Sequence, residues 1–340
     1  MSHSCDSTIA VLGAGSWGTA LAIQLARNGT TTLLWGRDGE AMAQMAVEQR
    51  NSRYLPESPF PELLTPSADL AATLKLCDHV LLAVPSHVLR DTLKSIAPHL
   101  KPGGHLAWAT KGLEPGSHKL LHLVIAEELG DEQSCAVISG PTFATEVANG
   151  LPTAVTVAAN NSAAAELFAQ CLHGEAFRAY TSPDVTGVEI GGACKNVLAI
   201  AAGIADGLGF GANTRAALIT RGLAEMMRLG IKMGGQSETF MGLAGLGDLV
   251  LTCTDDQSRN RRVGLALGRG EKLEDAIATI GQAVEGVKSA PEVYGLALEQ
   301  GVEMPISEQV YRVLYEGKAP QQAVEALLGR EQKAENDISR

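Results

Sequence analysis

The stretch Val11-Leu-Gly-Ala-Gly-Ser-Trp-Gly18 decides the fold. Its glycines at positions 13, 15 and 18 match the spacing GxGxxG. That pattern is weak by itself, but its context strengthens it. A short apolar run, Ile9–Leu12, precedes it, and a helical pattern over 16–28, with Leu21 and Leu25 on one face, follows it. In such a strand–turn–helix unit Gly13 permits the tight turn. Gly15 lets the backbone approach a pyrophosphate, and Gly18 lets the helix pack closely on the strand. The helix amino end, at Ser16 and Trp17, offers N–H groups and positive potential to phosphate. The plainer alternative is a tight turn with no ligand.

Further strands are predicted over 31–35, 79–84, 106–109 and 136–139, with candidates over 153–157 and 176–180. Helical stretches such as 87–97 and 119–129 lie between them. Buried apolar strands alternating with helices predict a doubly wound parallel sheet, an α/β fold. After Ser182-Pro183-Asp184 the strand signals stop. Asp184 is a natural cap for a helix running through Val188, Val197 and Ile200. Helices are predicted over 215–229, 260–268, 273–280, 286–300, 306–315 and 320–328, with glycine-rich punctuation at 234–235 and 242–247. The expected division is a dinucleotide-binding domain over 1–188 and an all-helical substrate domain over 189–340, with the polar residues 331–340 frayed.

Composition excludes several classes. The 340 residues are 45% apolar and 19% charged, an ordinary globular balance. The longest unbroken apolar run, 197–205, falls far short of the roughly 20 residues of a membrane span. Residues 1–8 are polar and lack the apolar core of an export signal, so a cytoplasmic protein without membrane insertion is expected. A net charge of −11 makes nucleic acid a poor partner. Cys5, Cys77, Cys135, Cys171, Cys194 and Cys253 show no zinc spacing, so no metal is expected; reduced thiols are the simplest reading.

The end of the second strand bears on cofactor choice. It reads Leu34-Trp35-Gly36-Arg37-Asp38. Arg37 suits the 2′-phosphate of NADP, and Asp38 keeps NAD open. A solvated loop cation is the alternative for Arg37. Three other stretches place polar residues in apolar or glycine-rich surroundings. Ala109-Thr110-Lys111-Gly112 and Ser139-Gly140-Pro141-Thr142-Phe143-Ala144 end strands at the edge where a dinucleotide lies. Gly191-Gly-Ala-Cys-Lys195-Asn196 sets a lysine in mid-helix, where it must snorkel, pair or face a cleft.

These motifs, with Gly242-Leu-Ala-Gly-Leu-Gly-Asp248 and Ser258-Arg259-Asn260-Arg-Arg, resemble bacterial-type NAD(P)-dependent glycerol-3-phosphate dehydrogenase from about residue 8 to 315. The resemblance implies a Rossmann domain followed by the helical domain of the 6-phosphogluconate dehydrogenase-like group. It implies reversible reduction of dihydroxyacetone phosphate to sn-glycerol 3-phosphate for glycerophospholipid synthesis. Homodimerisation is compatible with an apolar helical domain. The family's cofactor contacts fall on Ser16, Trp17, Arg37, Lys111, Ala144, Arg259, Ala283 and Glu285. Its substrate contacts fall on Lys111, Gly140, Thr142, Lys195, Asp248, Ser258, Arg259 and Asn260. Lys195 matches the family's proton donor and acceptor.

The residues suit that chemistry. Hydride addition to a ketone builds negative charge on oxygen, which an ammonium stabilises and then protonates. Ser258-Arg259-Asn260 offers a hydroxyl, a guanidinium and an amide to a phosphate. A helix cap is the plainer role for Asp248. Two other functions fit the architecture: a related dehydrogenase of keto or hydroxy acids, and an NADPH-sensing module without turnover.

Overall fold

The computed structural model describes residues 7–331. Most of the polar stretch 1–8, Cys5 and the tail from 332 onward lie outside the described residues. The chain forms two compact units. The first takes the chain through Thr110 together with His122–Val185; the second takes Lys111–Leu121 and the chain from Thr186 onward. The excursion Lys111–Leu121 lies in the first half of the sequence yet belongs to the second unit.

In the first unit the strands are β1 (Ile9–Leu12), β2 (Thr32–Trp35), β3 (Arg50–Asn51), β4 (Leu55–Pro59), β5 (Leu64–Ser67), β6 (His79–Leu82), β7 (Leu106–Trp108), β8 (Cys135–Ser139), β9 (Thr153–Ala159) and β10 (Phe177–Ser182). Between them run α1 (Ser16–Arg27), α2 (Gly39–Glu48), α3 (Leu70–Leu76), α4 (Leu89–Ile96), α5 (Leu121–Leu129), α6 (Ala144–Ala148) and α7 (Ser162–Leu172). Eight strands form one sheet in the order β10-β9-β8-β7-β6-β1-β2-β5, and β3 and β4 form a separate antiparallel pair. All four residues of β1 are fully buried, as a central parallel strand covered on both faces requires.

The sheet is parallel except at one place, where β8 and β9 are antiparallel. A parallel crossover needs a dozen or more residues, usually carrying a helix that spans the sheet. The connection from β8 to β9 carries only the five-residue α6, so the chain turns back on itself. The eleven-residue α7 then restores a parallel crossover from β9 to β10.

The second unit contains α8 (Val185–Gly207), α9 (Ala212–Lys232), α10 (Ser237–Met241), a π-helical turn at Leu243–Gly247, α11 (Asp248–Thr254), α12 (Arg259–Gly268), α13 (Leu273–Ile280), α14 (Glu285–Gln300), α15 (Pro305–Tyr315) and α16 (Pro320–Leu328). By length and composition α8 could cross a membrane, but 94% of its most apolar window is buried; it is the core helix of the unit. Helices α8 and α12 meet backbone to backbone. A Cβ on Gly203 would lie 2.1 Å from the Arg261 carbonyl oxygen, and one on Gly264 would lie 2.2 Å from that of Ile200. Gly207 and Gly268 repeat the contact one turn further along. This close approach fixes the start of α12 beside the middle of α8.

Cys77, Cys194 and Cys253 are buried free thiols. Cys171 is disulfide-bonded, so the expectation of reduced thiols does not hold there.

Candidate active site

At the carboxyl edge of the sheet the glycine loop has the shape its spacing predicts. Gly13 adopts φ +120°, and a Cβ there would lie 2.6 Å from the Ala83 carbonyl oxygen. A Cβ on Gly18 would lie 2.0 Å from the Gly13 carbonyl oxygen, so the helix start is closed to any larger residue. Gly15, by contrast, faces open space. It is the N-cap of α1, and no side chain caps that helix. An uncapped helix amino end with unobstructed backbone beside it is what a pyrophosphate requires, so the residues fit a dinucleotide.

Neighbouring strands bring the other expected residues to the same edge. The Trp17 indole donates to the Ala109 carbonyl at 3.2 Å, tying the loop to the end of β7. Arg37 follows β2, is exposed, and has no ion-pair partner among the described residues. Asp38 spends its carboxylate on the backbone N–H of Ala41 as the cap of α2. Gly140 and Thr142 follow β8, with the Thr142 hydroxyl donating to the Gly140 carbonyl at 3.2 Å. Ala144 opens α6.

The second unit holds a buried ion cluster. Asp248, with no exposure at all, accepts from Lys195 Nζ at 2.9 Å on one oxygen and from Lys111 Nζ at 2.7 Å on the other. Lys195 also donates to the Thr252 hydroxyl at 3.0 Å, and that hydroxyl donates to the Asp248 carbonyl at 2.6 Å. Lys195 therefore pairs rather than snorkels. Asp248 is not a helix cap either, because its carboxylate is committed to the two ammonium groups. A glycine contact sets the geometry. Gly191 on α8 lies where a Cβ would be 2.4 Å from the Ala244 carbonyl oxygen, so the π-helical turn sits directly on α8. Four residues further along each chain segment, Lys195 and Asp248 meet.

Charge and burial compete in this cluster. Burial works against the Asp248 carboxylate, but Lys111 and Lys195 outweigh it and hold its pKa below the ordinary value. Burial lowers the pKa of Lys111; Asp248 opposes that shift and the Lys195 charge reinforces it. Glu285 at the start of α14 moves upward through burial, against the pull of Arg259, Lys195 and Lys111.

At the start of α12 the Ser258 hydroxyl accepts from the Arg261 backbone N–H at 3.2 Å, capping the helix. Arg259 is half-buried and reaches Gln282 at 3.4 Å. Asn260 is less available than its sequence context implied. Its amide donates to Asn196 at 2.8 Å and accepts from the Gly286 backbone N–H at 2.8 Å, so both ends are engaged in joining α8, α12 and α14. Ala283 is exposed just before α14. Thr252 was missed from sequence; its signal is position i+4 from Asp248 on one helix face. Arg261 forms ion pairs with Asp206 and with Asp256, which accounts for that cation structurally.

A dinucleotide loop on a Rossmann-like sheet, followed by a helical unit with a buried lysine–carboxylate cluster, defines an NAD(P)-dependent oxidoreductase. Comparison narrows the class. Residues 8–165 match the N-terminal domain and residues 184–325 the C-terminal domain of NAD-dependent glycerol-3-phosphate dehydrogenase. The chain belongs to that family. It is 62% identical over 327 residues to glycerol-3-phosphate dehydrogenase [NAD(P)+] of Thioalkalivibrio sulfidiphilus, covering 96% of this chain and 98% of the relative. It is 61% identical over 325 residues to the enzyme of the same name from Nitrosococcus oceani, covering 96% and 94%. The crystal structure of glycerol-3-phosphate dehydrogenase from Coxiella burnetii superposes with a TM-score of 0.93 at 52% identity, covering 96% of this chain and all of that one.

Proposed function

We propose that this enzyme interconverts dihydroxyacetone phosphate and sn-glycerol 3-phosphate, with Lys195 as its proton donor and acceptor. The buried Lys111–Asp248–Lys195 cluster carries the reading. The bound cofactor supplies or accepts the hydride. In the reductive direction the Lys195 ammonium stabilises the charge developing on the carbonyl oxygen and then donates a proton to it. In oxidation the neutral amine takes that proton back. Asp248 and Thr252 orient the amine, and Asp248 keeps two like charges tolerable at one buried place. With both lysines protonated the cluster carries one net positive charge, which suits a phosphorylated anion.

Lys111, Gly140, Thr142, Asp248, Ser258, Arg259 and Asn260 complete the proposed substrate contacts. The Arg259 guanidinium is the natural phosphate ligand, and Asn260 acts mainly by holding the α12 start in place. The proposed cofactor contacts are Gly13, Gly15, Ser16, Trp17, Gly18, Arg37, Lys111, Ala144, Arg259, Ala283 and Glu285. Exposed Arg37 favours NADP, because Asp38 is occupied as a helix cap and is less free to take ribose hydroxyls. The product would feed glycerophospholipid synthesis in the cytoplasm. Leu298, Tyr315 and Leu328 are exposed apolar side chains of the second unit that a homodimer interface could cover.

A steady-state assay with dihydroxyacetone phosphate, run in parallel with NADPH and NADH, tests the reading. Turnover with this substrate and a preference for NADPH are expected. Faster turnover of a branched keto acid would replace the substrate, and cofactor binding with no turnover of any substrate would make the protein a sensor. Light scattering reads the oligomeric state.

A further inference from the structure

The excursion Lys111–Leu121 carries the Lys111 that pairs with Asp248, yet it leaves the first unit and returns to it. Something must hold it in the second unit. Leu113 and Leu120 are buried in that unit's core and supply the apolar part of the attachment. Part of the polar attachment gathers around Gly116 and His118.

His118 is a non-glycine residue at φ +54°, a left-handed conformation that persists only where surrounding contacts over-determine it. Its imidazole occupies the space that a side chain at position 295 of α14 would need. A Cβ on Gly295 would lie 2.4 Å from Cε1 and 2.5 Å from Nε2. Carboxylates flank the ring on both sides. Nδ1 lies 2.8 Å from Glu299 Oε1, and Nε2 lies 3.5 Å from Glu292 Oε2. Glu292 Oε2 also accepts from the Gly116 backbone N–H at 3.0 Å, so the same carboxylate grips the excursion twice. The turn is closed internally by Glu114 N–H to the Lys119 carbonyl and by His118 N–H to the Glu114 carbonyl. Glycine at 295, a strained histidine at 118 and two acids two turns apart on one face of α14 form a single fitted clasp.

We infer that His118, seated on Gly295 between Glu292 and Glu299, is a positioning residue that holds the 111–121 excursion so that Lys111 reaches Asp248 and the substrate. The inference rests on the proposed role of Lys111. It is distinct from the core packing of Leu113 and Leu120, which are buried, whereas His118 and Glu299 are partly exposed.

The test is a double-mutant cycle read as kcat/KM for dihydroxyacetone phosphate. In otherwise wild-type protein, His118→Ala and Gly295→Ala, the second of which evicts the imidazole without touching an acid, each lower kcat/KM by about tenfold. In a Lys111→Ala background each lowers it by less than about twofold, because the residue through which the clasp acts is gone. His118→Asn, which tolerates left-handed backbone and keeps a donor toward Glu299, recovers part of the loss. Glu299→Gln, at an exposed carboxylate, carries the same cycle if the larger changes impair folding, with a loss of about twofold to threefold that disappears without Lys111. Equal losses in both backgrounds, or no loss in the wild-type background, overturn the clasp. Lys111→Ala with wild-type turnover would instead overturn the role of Lys111 and the inference built on it.

Discussion

The dinucleotide edge of the first unit and the ion cluster of the second are built from different materials. The edge is made of backbone: glycines at 13, 15 and 18, an uncapped helix end and the ends of adjacent strands. Its chief parts lie within a few residues of one another in the chain. The cluster is made of side chains drawn from far apart, since Lys111 and Asp248 are 137 positions apart and Lys195 and Asp248 are 53 apart. The edge tolerates water, because phosphate binding to free N–H groups needs no burial. The cluster is buried, and its charges offset one another there. Removing one partner of such a set costs more than the pair contributes, because the other charge stays buried and unpaired.

If the two regions carry separable tasks, mutations should separate them. Lys195→Ala should lower kcat by about 10³-fold, the scale of a lost general acid, while NADPH affinity stays close to wild type. Stopped-flow and equilibrium fluorescence check the two halves of that statement, and activity within tenfold of wild type removes Lys195 from the proton role. Gly18→Ala should do the reverse. Its methyl group would meet the Gly13 carbonyl at 2.0 Å, and overpacking of this kind costs about 1–3 kcal/mol, or roughly tenfold to a hundredfold in cofactor affinity. Isothermal titration with NADPH measures it, and unchanged affinity would show that the close approach of helix and strand is not what shapes the phosphate site.

A smaller effect belongs to the rim of the edge. Arg37→Ala should raise the KM for NADPH by about tenfold, the value of one charge-assisted contact to a phosphate, and leave the KM for NADH unchanged. A parallel rise for both cofactors would mean that Arg37 does not read the 2′-phosphate. The smallest effect on activity is expected at Glu225, buried in the second unit and bonded to none of the ion-cluster residues. Its carboxyl accepts from the Ile306 and Ser307 backbone N–H groups and so caps α15 from a neighbouring helix. Burial pushes its pKa up to about 7, against the pull of those N–H groups. That lies above the ordinary value of 4.5, so folding takes up a proton between the two. The associated stability is full below about pH 4.5 and is lost as pH rises through about 7. Glu225→Gln should flatten this decline in thermal-melting profiles between about pH 5 and pH 8 with little change in kcat. A slope equal to wild type would assign the decline to other groups.

The contrast between the regions also explains what was legible in the sequence. The predicted helices of the second unit fall close to the observed ones, as at Leu273–Ile280 and Pro320–Leu328, because amphipathic spacing and caps are local signals. Strand β5 was not legible. It reads Leu-Thr-Pro-Ser, and Pro66 argues against a strand; it is tolerated because β5 lies at the edge of the sheet. β9 was a candidate from its residues, but its antiparallel direction was hidden, since that depends on how far α6 reaches rather than on the residues of the strand. The pairing of Gly203 with Gly264 was equally invisible, because each glycine is ordinary until the other helix arrives.

By itself the sequence determined the glycine loop, the alternation of strands with helices and the change to an all-helical second half. These are properties of neighbours along the chain, set by backbone sterics and side-chain periodicity. Only the tertiary structure decided that Asp248 faces two lysines instead of capping a helix, that the amide of Asn260 is spent on joining three helices, and that residues 111–121 belong to the helical unit. Those outcomes depend on burial, where an unpaired charge or amide is costly and each polar atom must take the partner that packing brings within reach.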